Sequence, residues 1–213
     1  MKQREISHII AAILVLTVVV GFSFALKQEY FKIIQAFLFS AIIILVSVFS
    51  KKLMANSLDA DVEHEIWQWQ RYGLKHFQKM KRKLPIGIFL PILATLFSIG
   101  IVKLTAILTY ETRALKRRAA KRFGFYSYKE MTDWHNGLIG ATGIVSILAL
   151  AIIAYLLPIN IEYLSKLAVY YAFWNLIPLA KLDGTQIFFG SKLVWTALAL
   201  ITTIFTALAL LTP

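Results

Sequence analysis

Five stretches of the chain run for 18 to 20 residues without a single Asp, Glu, Lys or Arg: Ile9–Leu26, Ile33–Ser50, Leu84–Val102, Leu138–Leu157 and Leu193–Leu211. At about 1.5 Å of rise per residue, a helix of that length approaches the roughly 30 Å of hydrocarbon in a bilayer. Lipid offers the backbone no hydrogen-bond partners, so helices, which satisfy their own, are the expected form. Composition agrees. Of 213 residues, 59% are hydrophobic and 16% charged, where soluble domains carry about a quarter charged. The sequence predicts an all-α polytopic membrane protein with five to six membrane segments, one of them broken or re-entrant, and a short strand-containing cytoplasmic segment. Residues 1–213 show no repeat and no low-complexity linker, so one integral membrane domain is expected.

Lys2 and Arg4 precede the first apolar run, as in a secretory signal. That run is long and ends on bulky Phe22 and Phe24, so a retained span is expected. The chain has no cysteine, which removes disulfides and Cys-based metal sites. Its net charge of +12 points to cytoplasmic loops facing anionic lipid headgroups, not to nucleic acid.

Two segments hold most of the charge. Lys51–Lys83 has eight basic and four acidic residues, and Glu111–Asn136 has seven basic and three acidic. Basic loops stay in the cytoplasm, so both segments and the N-terminus are predicted inside. Yet Leu84–Tyr110 separates them, and one straight crossing would put them on opposite faces. Pro85, Gly87, Pro91 and Gly100 weaken a continuous helix there, and Lys103 interrupts the apolar run. A segment that enters and leaves by one face resolves the conflict. The alternative is a kinked ordinary span with the second basic segment outside. Further along, Leu138–Leu157 exits, Pro158–Lys166 turns outside, Leu167–Ala180 returns as a short fifth segment, and Leu193–Leu211 is the last span.

Within the basic segments, Thr112–Phe123 resembles a basic surface helix, or else a merely solvated one. In Glu65–Tyr72, Trp67 and Trp69 alternate with Gln68 and Gln70, which suggests a strand. The most informative stretch is Asn175-Leu-Ile-Pro178-Leu-Ala-Lys-Leu-Asp183-Gly184. Here Pro178 would kink the fifth segment and free the carbonyl of Trp174. Asn175 could bind exposed backbone or a neighbouring chain. Asp183-Gly184 would close the helix, with Gly in a left-handed conformation.

That stretch resembles the Asn-x-x-Pro-x-x-x-Leu-Asp-Gly motif of the site-2 protease family of intramembrane zinc metalloproteases. The resemblance implies that Asp183 stands at the family's third zinc-ligand position. Gly137–Gly143 is similar to the family's Ala-Gly-Pro-containing segment, although Pro is absent. Ser98-Ile-Gly-Ile-Val-Lys-Leu resembles its membrane-embedded Pro-Gly-Ala-Val loop. Lys52-Leu-Met-Ala55 and the strand beyond it resemble the segment that comes after the family's zinc helix. The likeness covers a core of about residues 33–195, with one sharp motif.

The departure is in the zinc helix. The family carries His-Glu-x-x-His, two ligands on one helical face with a Glu that activates water. The corresponding run is Ser47-Val48-Phe-Ser-Lys51. Ser47 and Lys51 take the His positions and Val48 takes the Glu position. An ammonium at Lys51 could pair with Asp183 and replace the positive charge of the metal, since intramembrane ionisable groups are costly without partners.

Other histidines are poor candidates. His64-Glu65-Ile-Trp-Gln68 imitates half of the zinc motif, but Gln68 is a weak ligand and the segment reads as a strand. His76 sits among Lys75, Lys79 and Lys81. His8 opens the first span. His135, beside Trp134 and Asn136, suits a membrane interface, or could face a cavity near Asp183.

The residues leave three functional readings. The first is a non-catalytic site-2-protease-like protein that binds or regulates transmembrane segments of other proteins. It has no expected cofactor. The second is an active metallopeptidase with an atypical zinc site that recruits His64, His76 or His135 toward Asp183. The third is a small transporter or channel lined by Lys103 and Asp183, against which stands the lack of an inverted repeat.

Overall fold

The computed structural model describes residues 3–69, 83–115, 131–157 and 161–211. Its elements are α1 (Gln3–Leu26), α2 (Tyr30–Ser57), β1 (Ala60–Ile66), α3 (Ile86–Phe97), β2 (Leu108–Ala114), α4 (Asp133–Leu156), α5 (Glu162–Leu176), α6 (Asp183–Gly190) and α7 (Lys192–Leu211). Four helices, α1, α2, α4 and α7, are long and apolar enough to cross a bilayer. They match four of the five uncharged runs. The fifth run folds differently.

By backbone contacts the chain groups into two compact units, Met1–Ser40 with His64–Thr109, and Ala41–Glu63 with Tyr110–Pro213. Helix α2 and both strands contribute residues to each. The strands pair in a two-stranded sheet. The pairing is antiparallel, since Leu115 N–H donates to the Asp59 carbonyl at one end and Trp67 N–H to the Ile107 carbonyl at the other. Along β1 every second residue is buried, from Ala60 through Val62 and His64 to Ile66.

The expected strand over Glu65–Tyr72 therefore needs correction. Regular strand structure runs from Ala60 to Ile66, and Trp69 makes only an isolated bridge with Leu84. Positions 70–72 lie outside the described residues. The true alternation begins with Ala60 and includes His64 on its inner side, so the aromatic pair drew the boundary too late. The expected basic helix over Thr112–Phe123 also starts wrongly. Thr112–Ala114 belongs to β2, while 116–123 lie outside the described residues.

In the first unit α1 buries Ile9, Ala12, Leu16, Val19 and Val20 and packs on α3. Ile6, Ile10, Leu14 and Val18 line an exposed apolar face at one-turn spacing, as a lipid-facing helix requires. Glu5 and His64 are both buried. Glu5 Oε1 lies 3.1 Å from His64 Nδ1 and accepts the His64 backbone N–H at 3.3 Å. His8 Nδ1 accepts the N–H of Ile66 at 3.0 Å.

The Leu84–Tyr110 segment is a hairpin. Pro85 precedes α3, Pro91 lies inside it, and the helix stops after 12 residues, about 18 Å. Ile99 (φ 54°) and Gly100 (φ 80°) then turn the chain through left-handed backbone, a strained conformation for β-branched Ile99. A return without regular secondary structure leads into β2. Both ends of the hairpin meet at Trp67. Gly87 N–H donates to the Trp67 carbonyl at 2.8 Å, and Trp67 N–H donates to the Ile107 carbonyl at 2.8 Å. Gly87 permits this closure, because a Cβ there would lie 2.3 Å from the Ile107 oxygen.

In the second unit α4 packs on α5, α6 and α7, and α5 packs on α7. A small core of Ala55, Ala60, Val62, Tyr110 and Ile139 joins the end of α2 to the sheet residues and α4.

Replacing Gly87 by Val is expected to lower stability in detergent by about 1–3 kcal/mol and to open 98–102 to proteolysis. Gly21→Ala, where the nearest atom to a new Cβ is 3.7 Å away, should change neither. Thermal melts and limited proteolysis of both variants check the closure, which an unaffected Gly87→Val protein would refute.

Candidate functional site

Helix α5 ends at Leu176, and Ile177 adopts extended backbone (φ −63°, ψ 127°). The residue before a proline is pushed out of the helical region, so Pro178 stops the helix. This corrects the expected fifth segment. A kinked helix through Ala180 is replaced by α5 over Glu162–Leu176 and a turn, with Ala180 at φ 49°. Asp183 does not close a helix; it opens α6, where a carboxylate is favoured by the dipole of the first turn. Gly184 is not left-handed. Its missing side chain serves close approach, since a Cβ there would fall 1.9 Å from the Leu176 carbonyl oxygen.

Asp183 is fully buried, and so is Lys51 on α2. Lys51 Nζ donates to Asp183 Oδ2 at 2.5 Å, with side-chain exposures of 2% and 1%. The same ammonium lies 4.9 Å from the centre of the Tyr110 ring. Ser47 and Val48, one turn earlier on α2, are buried as well. Tyr171 of α5 is buried too. Asn175 Nδ2 donates to the Tyr171 carbonyl at 2.9 Å. Asn175 Oδ1 and Asp183 Oδ1 are buried acceptors with no hydrogen-bond partner among the described residues.

Two glycines of α4 make room for this arrangement. A Cβ at Gly143 would lie 2.4 Å from Lys51 Cε, and one at Gly140 would lie 2.6 Å from the Tyr110 hydroxyl. That hydroxyl donates to the Asn136 carbonyl at 2.6 Å. Burial, and then the Asp183 carboxylate, push the Tyr110 pKa well above its usual value, against a smaller opposing pull from the Gly140 backbone. Tyr110 therefore stays a neutral donor beside the ion pair.

A polar groove of about 430 Å³ opens along β2, α4 and α6. Gln186 Nε2 crosses it to donate to the Tyr110 carbonyl at 2.9 Å. Lys181 Nζ meets Glu111 Oε1 at 2.8 Å across exposed side chains. Thr112 Oγ1 and Asn136 Oδ1 are hydrogen-bonded on the same wall.

The remaining predicted residues lie elsewhere. His135 is held beside Thr132, which caps α4, and is not part of the buried pair. His64 is engaged by Glu5 in the first unit. Lys103 lies partly buried in the irregular return segment of that unit. His76 lies outside the described residues. Pro178 acts on the site through the helix break. Among the described residues, no three His, Asp or Glu side chains gather as a metal-binding group.

Tyr110, Tyr171, Gly140, Gly143 and Gln186 were not foreseen. Tyr171 had a signal, standing one turn before Asn175 on the same helical face. Gly140 and Gly143 carried only the general enrichment of small residues where membrane helices pack closely. No family model matches the chain, nor does any curated protein or solved structure.

Removing one partner of the pair leaves a buried charge. Lys51→Met or Asp183→Leu alone should each cost about 3–5 kcal/mol. The double variant should cost no more than either single one, giving a coupling of at least about 3 kcal/mol. Reversible unfolding of all four proteins in mixed micelles measures it, and additive losses would contradict a direct pair.

Proposed function

We propose that this protein is a multi-pass membrane protein with a site-2-protease-like core, in which a lysine ammonium has taken over the role of the metal. In this reading it binds transmembrane segments of other membrane proteins without cleaving them. The observation that carries the reading is the buried Lys51–Asp183 pair. It joins the second His position of the lost zinc motif to the third ligand position.

The residues do not suit zinc. A catalytic zinc normally has three protein ligands and an open position for water. Ser47 is a poor ligand, Val48 has no donor, and Lys51 brings positive charge to the one carboxylate. Nothing at the position of the family's Glu can take a proton from water. The groove beside β2, with Gln186, Lys181 and Thr112 on its walls, is the surface open to a client.

The same reading supplies a topology. The N-terminus and both basic segments lie on the cytoplasmic face. Helices α1, α2, α4 and α7 cross. Helix α5, 15 residues long and about 22 Å, crosses with support from its protein neighbours. The hairpin of α3 enters and leaves by one face, supported by its closure at Trp67. This makes five to six membrane segments.

Rebuilding the motif tests the reading. The triple variant Ser47→His, Val48→Glu, Lys51→His should purify with about one zinc per chain, as a three-ligand site demands, while the native protein should not. A folded triple variant without zinc would sink the resemblance. Stoichiometric zinc on the native chain, lost with Asp183→Ala, would instead make it a metalloenzyme. Independently, a single Cys placed at Arg113 should be labelled only from the cytoplasmic side.

A further inference from the structure

At the far end of α4, a second cavity of about 240 Å³ lies between α4, α5 and α7. It stands apart from the ion pair. Gly143 meets Lys51, and the cavity wall begins at Ala151, about 12 Å further along the helix. Its walls are apolar, with Ala151, Val169 and Leu208 among them, while Glu162 and Lys166 lie at its polar end. Those two charges of opposite sign are one helical turn apart on α5. Tyr155, also on the wall, is exposed and close to the end of α4, the place where aromatic residues mark the membrane–water boundary.

We propose that this cavity is a binding site for a zwitterionic aminophospholipid. One acyl chain fills the apolar part, the phosphate meets Lys166 and the primary ammonium meets Glu162. Two features select that occupant. The cavity is smaller than the roughly 300–1,000 Å³ of sites for compact ligands, so it suits part of a single flexible chain. The Glu162 carboxylate repels a purely anionic headgroup and complements an ammonium.

The test uses the full chain in nanodiscs of phosphatidylethanolamine, phosphatidylglycerol and phosphatidylcholine in equal parts. Native mass spectrometry after transfer to detergent reads the retained lipid. One phosphatidylethanolamine per chain should be retained over phosphatidylglycerol by about tenfold, the worth of one charge-assisted contact. Lys166→Gln should weaken retention by a similar factor, and Ala209→Phe should fill the cavity and abolish it. Glu162→Gln should remove the discrimination against phosphatidylglycerol while retention persists, a change that misfolding does not mimic. Inorganic phosphate should not compete. Equal retention of the three lipids, no retained lipid, or retention indifferent to both Lys166→Gln and Glu162→Gln would overturn the proposal. Displacement by inorganic phosphate would overturn the lipid assignment, because only the phosphate group would then be recognised.

Discussion

A lysine and an aspartate, both closed off from solvent, set the terms for the second unit of this protein. Neither charge could remain there alone, because burying an isolated ion costs several kcal/mol even after the surroundings relax. Together, Lys51 and Asp183 make a short contact, and the face of Tyr110 adds a further weak attraction for the ammonium. The pair also ties the end of α2 to the start of α6, elements separated by most of the chain. What surrounds it is arranged to keep the geometry available. The helix break at Pro178 lets Asp183 begin a new helix, and the bare backbone of Gly184 lets that helix start against the end of α5.

Two buried acceptors, on Asn175 and Asp183, have no partner among the described residues. A wholly apolar replacement of the ion pair would be comparable in energy or better. The proposed descent from a metal site accounts for this in physical terms. A zinc ion supplies positive charge between ligands from two helices, and a lysine on one of those helices supplies the same sign from a fixed tether. On that proposal the fold would keep a positive charge at this position without a group to activate water.

Much of this was legible in the sequence because the signals were long or chemically unusual. Charge-free runs of bilayer length located four helices. The opposing topological demands of two basic segments, with Pro85, Pro91 and Gly100 between them, pointed to an interrupted fifth. The expected partnership of Lys51 with Asp183 came from matching positions in a motif, and the side chains do meet. Local backbone was harder to read. Pro178 was expected to kink a helix and instead ended it, because the conformational bias acts on Ile177 before it. Gly184 was assigned a turn conformation when its role is clearance, which depends on a carbonyl eight residues away. The start of β1 was missed since the inward-facing Ala60 is small and the inward-facing His64 is polar, whereas Trp67 and Trp69 advertise a pattern that the ladder does not follow. Tyr110 gave no local signal. Its place beside the ion pair arises from tertiary packing of β2 against α4.

The joint at Trp67 has a consequence for how the hairpin is held. The path from Gly87 out to Ile101 and back to Ile107 begins and ends on the same residue's peptide groups, so it contributes no net advance along the fold. The excursion is therefore fastened at one joint, and between its two ends it is steadied by α1, on which α3 rests.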